Sequence, residues 1–355
     1  IKNKMVKKYP KVSVCTPTFN RRPFIPFMIK CFENQTYPKD KLEWIIVDDG
    51  TDPIEDLVNS VPQVKYFYVK DKMTLGKKRN YMHSKCTGDI IVYMDDDDYY
   101  PPERISHAVE TLVKNPSYLI AGSSLLAIYY KHIDKMYEFG PYIANHSTAA
   151  TFAFRKELLK KTKYDDNAEF AEEKQFLKNY TIPLIQLDIK KSILVISHDH
   201  NTYNKKDMLD KLDEKRGKLS NMLVDDFIKE TDLKQFYLND VDALLKSYEP
   251  GKPENKPTAM KQIKEKQEEQ NKAREDFNKL VNLKQQINSY VPQNNVDIKA
   301  IQEKYEKQLA EKMLSPDQAR LPEKTYNKFS YADAKKLFPK FDFETYLITL
   351  GSQTF

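Results

Sequence analysis

Three stretches of the sequence decide the fold, because each is a short apolar run that ends in polar residues. They are VSVCTPTFNR (residues 12–21), WIIVDDGTD (residues 44–52) and DIIVYMDDDD (residues 89–98). Each run is rich in Val and Ile and has the length of a buried strand. Segments with helical spacing of apolar residues separate the runs, which predicts βαβ units and a mostly parallel α/β sheet. Because crossovers between parallel strands are right-handed, the polar ends should lie along one edge of that sheet.

The same criteria place further elements along the first 203 residues. Strands are predicted over residues 11–15, 43–47, 64–69, 89–94, 118–128, 149–155 and 192–197. Helices are predicted over residues 24–35, 54–60, 77–86 and 103–114, two of them preceded by Pro53 and Pro102.

The sequence changes character after residue 204, and this predicts two domains, over residues 1–204 and 205–355. Residues 205–245 read as helical and polar, and the prolines and glycine of residues 249–257 indicate a linker. Residues 258–314 read as a hairpin of charged helices, followed by an aromatic tail over residues 325–355. Such a hairpin is either a solvated surface or a surface for a partner, such as a second copy in a homodimer.

Composition excludes some classes of function. Lys and Arg total 58 against 52 Asp and Glu, and the net charge of +6 is spread along the chain, which does not favour a nucleic-acid partner. No apolar run approaches the roughly 20 residues of a membrane span. The three cysteines lack metal-site spacing and indicate reduced thiols in a cytoplasmic compartment. The chain starts at Ile1 rather than Met, as expected for a module of a longer protein.

The run Asp95, Asp96, Asp97 and Asp98 is the strongest chemical signal. Four adjacent carboxylates repel one another unless a cation stabilises them, and hard divalent cations prefer such oxygens. The alternative is an acidic surface loop. A second acidic pair, with Asp49, follows another strand, so both sets should meet at the edge where open α/β sheets bind ligands.

Other residues at this edge suit a nucleotide. A carboxylate such as that of Asp49 can accept the N3–H of uracil, and Phe19 offers a flat apolar surface. The segment GKKRN (residues 76–80) begins a helix, where cationic side chains and free N–H groups can meet a diphosphate. A solvated helix start is the alternative for these cations.

In order and spacing, VSVCTPTFNR, WIIVDDGTD, GKKRN and DIIVYMDDDDYYPPERI resemble the inverting family-2 glycosyltransferases of GT-A fold. The resemblance is close over residues 11–108 and looser as far as residue 203. It implies a Rossmann-like sheet, a UDP-sugar donor and Mn²⁺ or Mg²⁺ as cofactor. It also implies transfer of a sugar, best matched by glucose, to a protein or glycan hydroxyl with inversion.

The resemblance further implies roles for individual residues. Asp49 would bind uracil, Arg79 the diphosphate and Asp96 the ribose, while Asp95 and Asp97 would hold the metal. Asp98 could replace a member of this run if the register differs by one. The loop after the first strand would complete the nucleotide site with Thr16, Pro17, Thr18, Phe19 and Asn20.

The base and a further metal ligand come from later segments. The family usually has a Glu-Asp pair before an aromatic residue, which falls on Glu172 and Glu173 before Phe176; Glu173 would deprotonate the acceptor and Glu172 is the alternative. His198, or else His200, would complete the metal shell, since imidazole suits Mn²⁺ better than Mg²⁺. All four could equally be surface residues.

Three alternatives stay open. A nucleotidyltransferase acting on sugar phosphates would use a similar sheet, but it needs a Gly-rich loop after the first strand. A binding module with an inactive site would not need the carboxylates. Within the glycosyltransferases, the DDDDYYPPERI and HDHNTYNKK stretches resemble modules from large DNA viruses that glucosylate hydroxylysine of collagen-like proteins, which would place the chain in a host cytoplasm.

Overall fold

The computed structural model describes residues 9–210, 212 and 216–289. They form a mixed α/β fold with a seven-stranded sheet in the order β3-β2-β1-β4-β8-β5-β9 and a four-stranded sheet in the order β10-β6-β7-β11. The strands are β1 (Val12–Thr18), β2 (Leu42–Asp48), β3 (Val64–Tyr68), β4 (Ile90–Tyr93), β5 (Ile120–Gly122), β6 (Leu126–Tyr130), β7 (Lys135–Phe139), β8 (Ala153–Arg155), β9 (Leu184–Gln186), β10 (Val195–Ser197) and β11 (Gly217–Leu219).

The helices vary greatly in length. They are α1 (Ile25–Glu33), α2 (Glu55–Val58), α3 (Leu75–Lys85), α4 (Arg104–Lys114), α5 (Glu173–Phe176), α6 (Lys206–Asp210), α7 (Val224–Phe227), α8 (Thr231–Gln235), α9 (Val241–Lys246) and α10 (Pro257–Ser289).

The predicted fold class is confirmed by the larger sheet. Strands β3, β2, β1 and β4 are parallel, β8 runs antiparallel between β4 and β5, and β9 pairs with β5 in parallel. All seven residues of β2 are buried, as the continuous apolar run predicted. The polar residues that follow β1, β2 and β4 therefore meet at one edge.

The prediction of one strand over residues 118–128 is wrong. The structure has two strands there, β5 and β6, and they belong to different sheets. The chain turns at Ser123, whose backbone N–H donates to Thr151 Oγ1 at 2.8 Å and whose hydroxyl donates to the Leu125 carbonyl at 2.7 Å. Serine hydroxyl groups compete with strand pairing in this way, which the apolar pattern alone did not reveal.

Residues 205–245 are also not one helical segment. They form short helices, one strand (β11) that joins the smaller sheet, and a π-helical turn at Phe236–Asp240. Phe227, Leu233, Phe236 and Tyr237 from this segment are buried in the same apolar core as Phe24 and Ile25. The division of the chain at residue 204 stays a prediction, while residues 205–260 belong to the same compact unit as the sheets.

A second compact unit begins at Lys261, within α10. The predicted helix after residue 258 is present as α10, and its described residues are dominated by Lys, Glu and Gln. The predicted second helix of the hairpin and the aromatic tail, residues 296–314 and 325–355, lie outside the described residues. Among the described helices, none combines the length and apolarity that a membrane crossing requires.

Gly76, at the start of α3, illustrates how local sequence positions the site. A Cβ atom at this position would lie 1.9 Å from the carbonyl oxygen of Asp165, so only glycine allows the helix to approach the loop over residues 165–168. The N-terminus of the helix is capped by Thr74, whose hydroxyl accepts the Lys77 N–H at 3.4 Å. This arrangement places Lys78 and Arg79 at the edge where β1 and β4 end.

Candidate functional site

A cavity opens at the carboxyl edge of β1 and β4. It is lined mainly by charged side chains and by the loop that follows β1. The lining residues are Pro17, Thr18, Phe19, Arg21, Lys72, Met73, Leu75, Lys78, Arg79, Asp95, Asp96, Asp97, Glu169, Thr202, Lys256 and Ala259. Carboxylates and largely buried arginine side chains face one another here, and burial strengthens the interaction between such charges.

The four aspartates after β4 do not share one environment. Asp95, Asp96 and Asp97 line the cavity, while Asp98 is buried and its Oδ1 accepts the backbone N–H of Ile196 at 3.4 Å. Arg21 pairs with two of the three, at 3.5 Å from Nε to Asp96 Oδ1 and 3.3 Å from Nη2 to Asp97 Oδ2. The first three residues of the run are thus the cavity-facing set, while the choice of metal ligands among them stays a prediction.

Burial and mutual repulsion separate the pKa values of these carboxyl groups. Burial raises the pKa of Asp96 to about 7, and the neighbouring charge of Asp97 adds to this effect. Burial also raises the pKa of Asp95 and Asp98, against the influence of Arg79 on Asp95. Burial would raise the pKa of Asp97 as well, but the hydrogen bond from His198 and the charge of Arg21 hold it well below its usual range. Asp97 is therefore the member most firmly held as an anion.

Of the two candidate histidines, only His198 is in contact with the acidic run. Its Nε2 lies 3.3 Å from Asp97 Oδ2, and its Nδ1 accepts the backbone N–H of His200 at 3.2 Å. A proton on Nε2 would let the ring donate to Asp97, but Asn201 Nδ2 also lies 2.9 Å from Nε2, and its amide is oriented by Oδ1, which accepts the His198 N–H at 2.9 Å. The contacts of Nε2 with Asp97 and with Asn201 therefore require opposite tautomers. The His200 side chain does not line the cavity, and its carbonyl oxygen accepts Arg21 Nη2 at 2.9 Å.

The carboxylates of Asp95 and Asp97 offer oxygen atoms of the kind that a hard divalent cation prefers, provided that a bound ligand supplies further oxygens. Asp95 Oδ1 is buried and accepts no hydrogen bond from the described residues; the Arg79 Nη1 atom lies 3.6 Å away. No group of three or more His, Cys, Asp or Glu side chains among the described residues is arranged to hold a metal ion. Mg²⁺-type ions are commonly held by one or two carboxylates together with phosphate oxygens and water, so Asp95 and Asp97 satisfy that requirement.

Asp49 lies beside the cavity rather than on its wall. One carboxylate oxygen pairs with Lys78 Nζ, and the other accepts the backbone N–H of Met73 at 2.7 Å. The side chain is fully buried. A direct hydrogen bond to uracil therefore requires the exchange of one of these partners, whereas Lys78 itself lines the cavity.

The predicted nucleotide loop divides between cavity wall and scaffold. Pro17, Thr18 and Phe19 line the cavity. Thr16 instead donates to the Met94 carbonyl and accepts from Trp44 Nε1, at 2.6 and 2.9 Å. Asn20 adopts a positive φ of 53°, and its Oδ1 accepts the backbone N–H groups of the turn that follows Asp49. These two residues hold the loop in place.

Arg79 connects the cavity to the candidate base. It lines the cavity, and its Nε donates to Glu172 Oε1 at 2.8 Å. Burial would lower the pKa of Arg79, but Asp95 and Glu172 raise it well above its usual value. Glu173 begins α5 and is 3% exposed. Neither glutamate is among the described lining residues, and the structure links Glu172 to the cavity through its hydrogen bond with Arg79.

Sequence reasoning missed several residues that the cavity brings together. They are Arg21, Lys72, Glu169, Thr202 and Lys256. The ammonium groups of Lys72, Lys78 and Lys256 lie 5.2, 5.9 and 5.7 Å from the centre of the Phe19 ring. Phe19 was a predicted site residue, yet no spacing rule connects it to lysines so distant in sequence, and Lys256 falls in the segment interpreted as a linker.

Comparison with known proteins shows similarity over part of the chain. Residues 13–170 match the model of the glycosyl transferase family 2. A β-1,3-glucosyltransferase of Campylobacter jejuni, named for GalNAc(5)-diNAcBac-PP-undecaprenol, is 32% identical over 111 residues, which cover 30% of this chain and 34% of that protein. The poly(ribitol-phosphate) β-N-acetylglucosaminyltransferase TarS of Staphylococcus aureus is 29% identical over 103 residues, covering 28% and 18%. The chain therefore spans about a third or less of these relatives.

Solved structures with similar folds have low identity to the chain. TarS 1–349 of S. aureus with UDP is 20% identical, covering 54% of this chain and 61% of that one, with a TM-score of 0.43. A mannosyltransferase of Pyrobaculum calidifontis with GDP-Man and Mn²⁺ is 16% identical, covering 72% and 75%, with a TM-score of 0.44. The segment over residues 13–170 is therefore similar in sequence to the glycosyl transferase family 2, and the mainly parallel central sheet is the fold expected from that similarity.

Proposed function

We propose that the protein is a metal-dependent glycosyltransferase that takes a sugar from a nucleoside-diphosphate donor and places it on an acceptor hydroxyl with inversion. The observation that carries this proposal is the cavity at the end of β1 and β4, where three aspartates face lysine and arginine side chains. In a sugar nucleotide, the anionic diphosphate would pair with the lysine and arginine side chains, and the hydroxyl groups would donate hydrogen bonds to the aspartates. UDP-glucose is the proposed donor.

The chain's own cations would bind and orient the diphosphate. Lys78 is held between Asp49 and the Thr18 carbonyl, the latter at 2.7 Å, so its ammonium has a defined position. Arg79 is fixed by Glu172 and stacks 4.6 Å from the centre of the Tyr93 ring. Preorganised cations of this kind stabilise charge that grows on the leaving group without a cost of reorientation.

Asp95 and Asp97 would hold Mn²⁺ or Mg²⁺, with His198 as a further ligand through Nε2 when that nitrogen carries no proton. When bound, the ion supplies Lewis-acid neutralisation of the departing diphosphate. Asp98, which lies away from the cavity, is not proposed as a ligand, and neither is His200.

Transfer also requires a group that accepts a proton. As the acceptor oxygen bonds to the anomeric carbon, the bond from that carbon to the diphosphate oxygen breaks, and the acceptor proton passes to a carboxylate. We propose Glu173 for this role, with Glu172 as the alternative. The contact of Glu172 with Arg79 supports a different role for Glu172, that of holding the diphosphate-binding arginine.

A glycan or polysaccharide is the acceptor class with the most support. Relatives over the matching segment are named for acceptors of this kind, an undecaprenol-linked glycan and poly(ribitol phosphate). Hydroxylysine of a collagen-like protein is the second acceptor to test, on the resemblance to viral modules described above.

Release of nucleoside diphosphate from a panel of sugar nucleotides, with Mn²⁺ and without acceptor, tests the donor class. Slow release of UDP from one UDP-sugar is the expected result, with faster release when a matching acceptor is added. Pyrophosphate release from UTP and a sugar phosphate would instead identify a nucleotidyltransferase. Absence of both reactions, with intact folding by circular dichroism, would contradict an enzymatic role for this cavity.

A further inference from the structure

The segment over residues 248–256 lies against the loop that follows β1, well beyond residues 13–170 in sequence. Tyr248 donates its hydroxyl to Asp52 Oδ2 at 2.8 Å. Asn20 Nδ2 donates to the Pro250 carbonyl at 2.9 Å, and Arg21 Nη1 donates to the Gly251 carbonyl at 3.2 Å. The segment that the sequence indicated as a linker is therefore fixed to the donor side of the cavity.

Gly251 explains how this segment comes so close. A Cβ atom there would lie 2.7 Å from His200 Nδ1 and 2.9 Å from the Asn20 carbonyl oxygen. These distances are too short for any side chain, so glycine is required for the approach. Fixing Gly251 in turn determines where the chain enters α10, five residues later at Lys256 and Pro257.

Lys256 lines the cavity as a result. Its Nζ donates to Thr202 Oγ1 at 2.8 Å and lies 5.7 Å from the centre of the Phe19 ring. The charges that face it are those of Asp96 and Asp97, which attract the ammonium, and those of Arg21 and Lys78, which repel it. Burial lowers the pKa of Lys256 to about 7, and Arg21 adds to this. An ammonium has three donors, and a neutral hydroxyl such as that of Thr202 balances none of its charge.

We propose that Lys256 binds the diphosphate of the donor, so that the segment over residues 248–256 completes the donor site. This inference rests on the proposed function, because it assumes a nucleoside-diphosphate ligand. An incoming diphosphate offers this partly buried ammonium an anionic hydrogen-bond acceptor in addition to the neutral Thr202 hydroxyl, and a hydrogen bond between two charged groups is stronger than one between neutral groups.

The competing explanation is that Lys256 only ties α10 to the turn at Thr202. The two explanations predict different changes in affinity when the ammonium charge is removed. If Lys256 binds phosphate, only ligands that carry phosphate should bind more weakly. Lys256→Met keeps an unbranched side chain over Phe19 and removes only the ammonium. Lys261→Met is the matched control, since Lys261 lies five residues further along the chain, in α10, with a side chain that is 75% exposed.

Calorimetry with Mn²⁺ present would measure the Kd of UDP, and competition would measure that of uridine, which has the same base and ribose but no phosphate. We expect Lys256→Met to weaken UDP by about 10- to 100-fold, as for the loss of a charge-assisted hydrogen bond. Uridine affinity and the Tm should match those of the wild type. Lys256→Arg should recover most of the UDP affinity, and Lys261→Met should bind UDP as the wild type does.

Three outcomes would overturn the inference. Unchanged UDP affinity in Lys256→Met, or an equal loss for uridine and UDP, would show that Lys256 does not bind phosphate. A lowered Tm in Lys256→Met that Lys256→Arg does not restore, together with loss of both UDP and uridine binding, would show that Lys256 has only a structural role. If the wild type itself binds neither UDP nor GDP, the proposed function fails first, and the two failures are thereby distinguished.

Discussion

Asp97 Oδ2 lies 3.3 Å from His198 Nε2, a contact that joins the end of β4 in the larger sheet to the turn after β10 in the smaller one. Arg21, from the loop after β1, reaches the same carboxylate oxygen at 3.3 Å. Three segments that are far apart in sequence thus converge on one anion. Because both partners favour the charged form of Asp97, its pKa is held low despite burial.

Metal dependence should follow Asp97 and not Asp98. We expect Asp97→Asn to abolish Mn²⁺-dependent release of UDP from the donor, because the amide is a far weaker ligand for a hard cation. Asp98→Asn should keep activity and its Mn²⁺ requirement, since burial raises the pKa of Asp98 and the amide resembles the protonated acid in shape. Initial rates across a Mn²⁺ titration, with EDTA as the blank, provide the measurement. Full activity of Asp97→Asn in EDTA would remove the metal from the mechanism.

Variants of the two adjacent glutamates should differ in whether they affect the chemical step or donor binding. Glu173→Gln cannot accept a proton, so kcat for transfer should fall by roughly 10²–10⁴-fold while the Kd of UDP is unchanged. Glu172→Gln weakens the ion pair with Arg79, so its main effect should be a higher KM for the donor. Steady-state kinetics and calorimetry on the matched pair test this. A large fall in kcat in Glu172→Gln alone would transfer the base role to Glu172, and retained configuration in the product by NMR would contradict inversion.

Asp49 should affect nucleotide binding through Lys78. Its carboxylate pairs with Lys78 and accepts the Met73 N–H, so Asp49→Ala releases a cavity cation and leaves a buried N–H unpaired. Loss of such a charge-assisted contact should weaken UDP binding by roughly 1.5–3 kcal/mol. The preference for UDP over GDP and ADP should diminish only if Asp49 also contacts uracil. Calorimetry with the three nucleotides distinguishes these effects, and an unchanged Kd for UDP would remove Asp49 from both roles.

Glu43 should stabilise the opposite side of the sheet in a pH-dependent way. Burial opposes its charge, but hydrogen bonds from Lys65, Ser13 and Thr87 outweigh burial and hold the pKa of Glu43 well below its usual range. A depressed folded-state pKa means that this stability is present above the unfolded value near 4.3 and is lost as the pH falls towards the folded value. At pH 7, Glu43→Gln should lower the free energy of unfolding by about 1.5–3 kcal/mol.

Urea denaturation of wild type and Glu43→Gln from pH 7 down to pH 3 measures this difference. The gap should narrow below about pH 4, where the unfolded wild-type chain takes up the proton. Exposed Glu110→Gln, which removes a surface pair with Lys114, is the control and should change stability by less than about 0.5 kcal/mol at any pH. A constant gap across the range would mean that the charge of Glu43 is not the source of its contribution.

The order of strands and helices through α4 was predictable because it depends on local pattern. Runs such as residues 44–47 are apolar on both faces, as expected for a strand covered on both sides, and β2 is fully buried. The break at Ser123 was not predictable in this way, since both halves of residues 118–128 are apolar and only a hydrogen bond to Thr151 shows the turn.

The sequence by itself determined that polar residues after β1, β2 and β4 would meet, because right-handed parallel connections leave no other place for them. Tertiary structure alone decided which of those residues face the cavity. Asp49 and Asn20 are occupied by partners from other elements, Asp98 faces β10, and Arg21 joins the acidic run. It also decided that Lys256 belongs to the site. The reason is physical: a strand pattern specifies the edge on which a side chain lies, whereas the side chain's partner depends on elements that become neighbours only when the chain has folded.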